Sequence, residues 1–333
     1  MNAPPILERW YRVDRLSGLR RFAVAITVLN VAGYLFLGFE ASYAQPFVGV
    51  LTAYAVELAL EFIDARANRR PLRFAGGVRA FVDFLLPAHI SGVAVSMLLY
   101  SNQSLAPIAF AAAVAIASKS FLRARVNGHD RHIFNPSNFG IACTLLCFHW
   151  VGIAPPYMFT ENLETTGDVV FPCVIIVLGT FLNARFTKRL PLIAAWVSVF
   201  ALQGVVRHLT LDQPLVSTFM PMSGIAFLLF TFYMVTDPPT TPSTVRGQIL
   251  FGASVALAYG ALMVMHVVFG LFFALALTST ARAAWLWLAV GQSARTAEHE
   301  TLSTQAELVS APRAHAARHP DPAFAAKQTV HRT

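Results

Sequence analysis

Long apolar segments separated by short polar segments run through most of the chain. The segments that approach the length of a membrane-spanning helix lie near residues 22–39, 46–63, 80–100, 105–121, 138–152, 170–184, 190–208, 218–236, 248–266 and 268–290. A helix needs about 20 mostly apolar residues to cross a bilayer. The pattern therefore predicts an all-α polytopic membrane protein with about ten transmembrane helices.

Composition supports this fold class and divides the chain into three parts. Of the 333 residues, 56% are hydrophobic and only 13% are charged, whereas about a quarter of the residues in a soluble domain are charged. Residues 1–21 form a basic N-terminal segment that is too polar for a secretory signal. Residues 22–290 form the transmembrane domain. Residues 291–333 lack apolar periodicity and are predicted to be a disordered cytoplasmic tail.

The basic residues indicate the orientation of the helices. They collect before the first predicted helix and after the second, fourth, sixth and eighth, whereas the intervening loops carry almost none. Cytoplasmic loops of membrane proteins are enriched in Lys and Arg, so both termini are predicted to be cytoplasmic. Arg207, at the end of the seventh helix, is the exception. Topology thus explains the net charge of +8, and the predicted partner is the lipid bilayer rather than nucleic acid.

Three pairs of similar sequences occur in the same order along the chain. "FIDARANRRPL" at 62–72 is similar to "FLNARFTKRLPL" at 181–192. The other pairs are "LPAHISGVAV" at 86–95 with "MPMSGIAFLL" at 220–229, and "IFNPSN" at 133–138 with "VTDPPT" at 235–240. Many transporter folds are built from repeated helical units, so we predict an internal repeat.

The sequence "MVTDPPTTPSTVRG" at 234–247 places many polar groups directly beside an apolar helix. Thr236 and Asp237 can cap a helix start while the prolines fix the chain direction, so an ordinary connector is one interpretation. Irregular backbone at membrane depth is otherwise tolerated only where it is buried in protein or lines a cavity. The second interpretation is therefore a polar re-entry in which Asp237 pairs with Arg246, with Asn135 of the similar motif nearby.

The motifs "RHIFNPSNFGIA", "FYMVTDPPTTPSTVRGQILFG" and "VVFGLFFALALTSTARAAW" follow one another in the chain. With them, about residues 20–290 resemble the RnfD/NqrB membrane subunits of ion-translocating ferredoxin:NAD and NADH:quinone oxidoreductases. The resemblance implies a repeat-built subunit of the bacterial cytoplasmic (inner) membrane that binds flavin and transfers electrons, coupled to ion movement. It also implies other membrane subunits of an electron-transport complex as partners. Asn135, Pro136, Thr236, Asp237 and Arg246 are the residues predicted to bind the cofactor.

One departure from the family concerns flavin attachment. Redox subunits of the family attach FMN to the last threonine of an Asp-x-x-Ser/Thr-Gly-Ala-Thr motif, and the corresponding sequence here is "NLETTGDVV" at 162–170. Leu163 stands at the aspartate position and Val169 at the acceptor position. Because valine has no hydroxyl to esterify, any FMN or riboflavin is predicted to be bound non-covalently. In lacking this acceptor, the chain resembles the divergent branch of the family that is encoded near enediyne-type biosynthetic genes.

Two acids within predicted helices, Glu57 and Asp83, are candidates for ion coupling, because an acid at membrane depth must pair or be protonated. For Asp83, a salt bridge with Arg79 is the alternative. No catalytic residue is identified. If the flavin site has been lost, a transporter or channel built on the same scaffold is the alternative function.

Histidines and cysteines suggest no further cofactor. His89, His149, His208 and His266 lie in or beside apolar helices, where paired histidines could hold haem. Most lie close to the membrane interfaces, so a hydrogen-bonded structural role is favoured and no metal site is predicted. Cys143, Cys147 and Cys173 lie in apolar segments, which predicts small buried residues rather than disulfides.

Overall fold

The computed structural model describes residues 15–126 and 129–289. Its first half contains α1 (Arg15–Ala32), α2 (Ala44–Ala67), α3 (Val78–Leu98) and two shorter helices, α4 (Ala106–Phe121) and α5 (Pro136–Cys147). The second half contains α6 (Thr165–Leu182), α7 (Leu190–Leu211), α8 (Leu215–Phe219), α9 (Ile225–Leu229), α10 (Val245–Val264) and α11 (Gly270–Ala289). The predicted tail and residues 1–14 lie outside the described residues.

Short irregular elements join these helices. π-helical turns extend three of the helices, α1 by Gly33–Leu37, α6 by Asn183–Thr187 and α9 by Phe230–Met234. Pro156–Phe159 and Met220–Ser223 form 3-10 turns. Strands β1 (Leu99–Tyr100), β2 (Arg123–Val126), β3 (His129–His132) and β4 (Gly152–Ile153) form two antiparallel pairs, β1 with β4 and β2 with β3.

Within the described residues, seven helices are long and apolar enough to cross a membrane. They cover Leu16–Leu37, Ala44–Ala67, Val78–Leu98, Thr166–Thr187, Leu190–Leu211, Val245–Val264 and Gly270–Ala289. The pair Leu215–Ser223 and Ile225–Met234 bends by 64° and makes an eighth span if it is counted as one. These helices confirm the prediction of an all-α, multi-pass membrane protein.

The count of ten helices is not confirmed, because three of the predicted segments differ from simple spans. α4 and α5 have only 16 and 12 residues. α5 ends at Cys147, before the predicted 152, and the chain then turns so that Gly152 and Ile153 pair with β1. The segment 218–236 is broken where Gly224 adopts an extended conformation, with ψ 141°, directly before α9.

The internal repeat is not confirmed either. The stretches 62–72 and 181–192 both run from the end of one helix toward the next. The second pair differs, since 86–95 lies inside the continuous helix α3 whereas 220–229 contains the break before α9. In the third pair, 133–138 enters α5 whereas 235–240 lies in the loop before α10.

Helices α7 and α10 form the closest long contact of the second half and run parallel to each other. A Cβ atom at Gly252 of α10 would lie 2.5 Å from the carbonyl oxygen of Leu192, and one at Gly260 would lie 2.9 Å from Gln203 Oε1. Glycine therefore permits the close approach of the two backbones. The fully buried Trp196 of α7 packs in the adjoining core and donates from Nε1 to Thr231 Oγ1 at 2.9 Å.

The cysteines depart from the prediction of burial. Cys147 and Cys173 are exposed on the outside of the chain and Cys143 is partly exposed. All three are free thiols, as predicted. The outward position of Cys173 follows from its helix, since α6 presents a largely apolar surface away from the rest of the protein.

Candidate functional site

The two proline-containing motifs singled out in the sequence meet in the structure. Asn135 caps α5, where its Oδ1 accepts from the backbone N–H of Asn138 at 3.1 Å and Pro136 forms the first residue of the helix. The Asn135 side chain also donates from Nδ2 to the carbonyl oxygen of Met234 at 3.2 Å. A single buried side chain therefore starts α5 and holds the end of the turn that precedes Thr236.

The loop of residues 235–244, which we call the 235–244 loop, is ordered by its own side chains. Thr236 donates to the carbonyl oxygen of Phe232 at 2.7 Å. The Asp237 carboxylate accepts from Thr240 Oγ1 at 3.0 Å, and the Asp237 carbonyl oxygen accepts from Thr241 Oγ1 at 2.7 Å. Thr240 and Thr241 therefore close a compact polar turn around Asp237, while Thr236 ties the start of the loop to the preceding helix.

Two arginines from distant helices hold this loop, and sequence reasoning identified neither of them. Arg189, just before α7, donates from Nε to Thr241 Oγ1 at 2.9 Å and from Nη2 to the carbonyl oxygen of Pro238 at 3.2 Å. Arg282 of α11 donates from Nη1 to the carbonyl oxygen of Thr240 at 2.8 Å. Arg189 lies in the repeated segment at 181–192 and Arg282 lies in the last of the three family-like motifs, but neither pattern indicated that these side chains reach the loop.

The predicted ion pair between Asp237 and Arg246 does not form. Arg246 lies in the first turn of α10, where its side chain is exposed, and none of the ion pairs in the described residues includes it. Among the cations, Arg189 has the largest electrostatic effect on the Asp237 carboxyl. The physical reason is the direction of α10, which carries Arg246 outward while the loop folds back onto the start of α7.

The charges around the 235–244 loop do not balance. Burial raises the pKa of Asp237 to about 6, against the opposing effects of its bond from Thr240 and the charges of Arg189 and Lys119. Burial lowers the pKa of Arg189, and the charges of Arg131 and Arg282 add to that effect while Asp237 opposes it. Arg189 therefore lies within electrostatic reach of two other arginines and of only one carboxyl group, which leaves the cluster able to accept an anion.

Two buried side-chain oxygens near the motifs are left without hydrogen bonds. Asn138 donates from Nδ2 to the carbonyl oxygen of Phe272 at 3.1 Å, but its Oδ1 accepts from no group in the described residues. Gln248, in the first turn of α10, likewise has an unsatisfied Oε1. Buried polar groups are normally hydrogen-bonded, so both oxygens can accept from a ligand. The donors and acceptors present fit a flavin with a phosphate group.

The two candidates for ion coupling are both engaged in ion pairs between helices. Glu57 of α2 accepts from Lys119 Nζ of α4 at 2.8 Å. Asp83 of α3 pairs with Arg20 of α1 at 2.7 and 2.5 Å rather than with the predicted Arg79. Asp83 bonds to Arg20 because its side chain faces α1, and the sequence alone did not indicate this packing.

Histidine contacts favour structural roles. Both ring nitrogens of His89 are occupied, Nε2 by Thr27 Oγ1 at 2.7 Å and Nδ1 by the Tyr54 hydroxyl at 2.9 Å. His208 contacts the carbonyl oxygen of Gln213 through Nδ1 at 2.7 Å. A search of the described residues finds no group of three or more His, Cys, Asp or Glu able to hold a metal ion.

The segment that corresponds to the family's flavin-attachment motif forms the entry to α6. Val169 lies one turn into this helix with 64% of its surface exposed. A Cβ atom at Gly167 would lie 2.9 Å from the Cβ of Leu163, so the turn is closely packed. The acceptor position is thus accessible but has no hydroxyl group.

Comparison of the chain with models of known protein families, and with curated proteins, finds no match. The resemblance to the RnfD/NqrB subunits therefore depends on the short motifs quoted above. Within the structure, those motifs contribute Asn135, Thr240, Thr241 and Arg282 to the polar cluster around the 235–244 loop, whereas Arg189 lies outside them.

Proposed function

We propose that this protein is a membrane-embedded electron-transport subunit that binds a flavin non-covalently beside the 235–244 loop. The observation that supports this most directly is the surplus of positive charge at the loop, where Arg189 is only 6% exposed. The charges of Arg131 and Arg282 act on this arginine, and Asp237 is the one carboxyl group that opposes them. A buried surplus of this kind needs an anion. The phosphate of FMN supplies one, so FMN is favoured over riboflavin.

The residues divide into two groups in this proposal. Arg189 and Arg282 would hold the phosphate by charge-assisted hydrogen bonds, which are stronger than neutral ones. Asn138 and Gln248 would accept from N–H groups through their unsatisfied side-chain oxygens. The bound flavin would supply the electron-transfer chemistry, while Asn135 and the threonines of the loop keep the chain rigid around it.

Ion coupling and assembly belong to the same proposal. Glu57 and Asp83 would take part in ion movement by exchanging their present partners, Lys119 and Arg20, during the redox cycle. The outer surface of α6, with Val177 and Phe181 at 65% and 60% exposure, is suited to lipid or to another membrane subunit. The bacterial inner membrane is the proposed location.

A ten-helix, two-unit architecture also remains a proposal. It is supported by the similar ends of α1 and α6, which both finish in a π-helical turn followed by a residue with positive φ, Gly38 and Lys188. Counting α4, α5 and the broken α8–α9 pair as crossings gives two units, α1–α5 and α6–α11. A C-terminal reporter should then be cytoplasmic, as should an N-terminal one, and an external signal from either would contradict the topology.

The test of flavin binding uses the purified full-length protein in detergent. Titration with FMN and with riboflavin, followed by flavin fluorescence, should give tighter binding of FMN. Arg189→Gln should abolish most of the preference for FMN, because it removes a buried cation. Arg246, which the sequence assigned to the cofactor, is exposed and lies outside the proposed site, so Arg246→Gln is the matched control and should leave the preference intact. Absence of binding, or equal binding of both flavins, would contradict the proposal.

Covalent attachment is tested separately on a denaturing gel. After coexpression with a flavin transferase, no fluorescent band is expected at the mass of the protein, because Val169 lacks the acceptor hydroxyl. Thr165 and Thr166 precede the glycine and lie next to Asp168, whose negative charge opposes an incoming phosphate. A bright band that disappears in Thr166→Ala would show that flavin is attached at Thr166, and it would contradict the prediction of non-covalent binding.

The alternative function is a transporter or channel on the same scaffold. The broken α8–α9 pair supports it, because discontinuous helices form substrate sites in many transporters. The visible absorption spectrum of the protein purified from its host separates the two functions. A flavin spectrum supports the redox subunit, whereas a protein that neither contains nor binds flavin supports the transporter.

A further inference from the structure

A second buried arginine lies near the other end of α7. Arg207 is 5% exposed, and it donates from Nη1 to Gln213 Oε1 at 3.2 Å. Its Nε and Nη2 are buried and have no hydrogen-bond partner in the described residues. None of the ion pairs formed by these residues includes Arg207. This guanidinium therefore has unused donors and no counter-ion.

Two further polar groups without partners adjoin it. Gln203 precedes Arg207 by four residues, which places both side chains on one face of α7. Both polar atoms of the Gln203 amide are buried and unpartnered. Tyr259 of α10 stacks on Phe200 of α7 with ring centroids 5.4 Å apart, and the next residue, Gly260, lies against Gln203. Its hydroxyl acts electrostatically on Arg207, and none of the hydrogen bonds found in the described residues involves that hydroxyl. Three side chains of different chemistry thus converge between α7 and α10.

The helix itself does not compensate for the charge of Arg207. An arginine cannot lose its proton in a protein, so burial does not neutralise it. The partial negative charge at a helix C-terminus stabilises a cation, but by several-fold less than an unpaired buried charge costs. The free Nε and Nη2 show that the terminal carbonyl groups of α7 do not accept from this side chain. The described residues therefore supply no counter-ion for Arg207, and an anionic ligand can supply one.

We propose that Arg207, Gln203 and Tyr259 form a binding site for a phosphate group at the end of the bundle opposite the 235–244 loop. The guanidinium offers two N–H donors in a fixed fork, and the Gln203 amide and Tyr259 hydroxyl add donors from other directions. Such an arrangement suits an anion with three or more acceptor oxygens better than a carboxylate with two. The Gln203 oxygen can accept from a protonated phosphate oxygen.

The position of the site admits two sources of phosphate. Arg207 lies four residues before the end of α7 at Leu211, or about 6 Å along the helix axis. That depth is within reach of a phospholipid headgroup, and a free phosphate can enter from the same end. The site is independent of the flavin proposal, because it involves neither Arg189 nor the 235–244 loop.

The test measures the thermal unfolding midpoint of the full-length protein in neutral detergent. One series adds inorganic phosphate against chloride at equal ionic strength, and the other adds phosphatidylglycerol against phosphatidylcholine. A concentration-dependent rise with phosphate alone identifies a free anion as the ligand. A rise with phosphatidylglycerol alone identifies a lipid headgroup, and a rise with both shows that the site accepts either.

The variants assign that rise to this site. Arg207→Gln should raise the apparent dissociation constant of the effective ligand at least about tenfold, and Tyr259→Phe, which removes one hydroxyl, about fivefold. Arg66→Gln, which removes an exposed arginine from the last turn of α2, is the matched control and should retain the rise. The proposal is wrong if neither phosphate nor phosphatidylglycerol raises the midpoint, or if the rise is unchanged in both Arg207→Gln and Tyr259→Phe.

Discussion

Arg189 and Arg207 lie at opposite ends of α7 and are almost equally enclosed, with 6% and 5% exposure. Arg189 donates to Thr241 and Pro238 and has the carboxyl group of Asp237 within electrostatic reach. Arg207 has one amide partner and no carboxylate in ion-pair contact within the described residues. The two arginines are equally buried but have different roles. Arg189 joins α7 to the 235–244 loop, whereas Arg207 keeps donors that are free to bind a ligand.

The sequence around each arginine accounts for the difference. Arg189 faces a loop rich in threonine and proline, whose backbone is not helical and whose carbonyl oxygens are free to accept. Arg207 lies within a regular helix, where most carbonyl oxygens already accept from the backbone. A buried cation within a regular helix can bond only to side chains or to a ligand. In the described residues, Arg207 has a single side-chain acceptor, Gln213.

The largest difference in unfolding free energy is expected between the two variants in which either Arg189 or Arg207 is replaced by glutamine. Arg189→Gln should destabilise the protein by about 3 kcal/mol, because it removes two buried charge-assisted hydrogen bonds, to Thr241 and to the carbonyl oxygen of Pro238. Arg207→Gln, measured without added phosphate, should cause no loss and can increase stability, because it removes an unpaired charge. Chemical unfolding in detergent provides both values. Equal destabilisation by the two variants would remove the distinction between the sites.

The next largest effect is a pH dependence of stability, which is expected from Asp237 beside Arg189 and not from the Arg207 end of α7. The pKa of Asp237 is raised from 3.8 to about 6 in the folded protein, so the folded state holds this proton more tightly than the unfolded state. The contribution of this group to stability is therefore greatest below about pH 4 and falls as the pH rises through 6, by up to about 3 kcal/mol. Unfolding measured from pH 4 to 7 should show this fall relative to Asp237→Asn.

The same comparison checks the sign of the effect. If the wild-type protein gains stability over Asp237→Asn as the pH rises, the surrounding arginines stabilise the carboxylate more than burial disfavours it. Such a result would contradict the raised pKa. It would also mean that the positive charge of the loop is already balanced at neutral pH, which would weaken the argument for an anionic ligand there.

A smaller effect is expected at the helix caps beside the loop. Asn135→Ala removes the cap of α5 and the bond to Met234, and should cost about 2 kcal/mol. Thr244 caps α10 by accepting from the Gly247 N–H at 3.2 Å, and Thr244→Ala should cost about 1 kcal/mol because it breaks no contact between elements. Unfolding of the two variants under the same conditions gives the comparison, and equal losses would show that the bond to Met234 contributes nothing.

The smallest effect is expected for Arg246→Gln. The side chain is exposed and pairs with no acid in the described residues, so the change in unfolding free energy should stay within about 0.5 kcal/mol. A larger loss would mean that Arg246 reaches Asp237 in the folded protein, as the sequence had suggested, and that Arg189 is not the main cation of the loop.

The hydrophobic pattern predicted helices better than it predicted their shape. Every predicted apolar segment contains helix in the structure, because burial in lipid and in protein both require apolar residues. α5 ends at Cys147, and Gly152 instead pairs with Tyr100, while the other helix is broken where Gly224 is extended. Neither leaves a clear trace in hydropathy, which averages over many residues.

The candidate site could be predicted only in part, for a related reason. Proline and asparagine mark local turns, so Asn135, Pro136, Thr236 and Asp237 were recognisable and do lie together. Partners from distant helices follow from tertiary packing, and no local pattern identified Arg189 as the neighbour of Asp237. Proximity in sequence favoured Arg246 instead, and the structure shows that proximity was misleading.

The contacts of His89 have a consequence for the proton on its ring. The Thr27 hydroxyl donates its hydrogen to the carbonyl oxygen of Ala23 at 2.7 Å, so toward His89 it can only accept. Nε2 must therefore carry the proton, and Nδ1 must accept from the Tyr54 hydroxyl. The result is a one-directional chain of donors that runs from α2 through α3 to α1 and fixes a single neutral tautomer, which nitrogen-15 chemical shifts of the labelled imidazole would report directly.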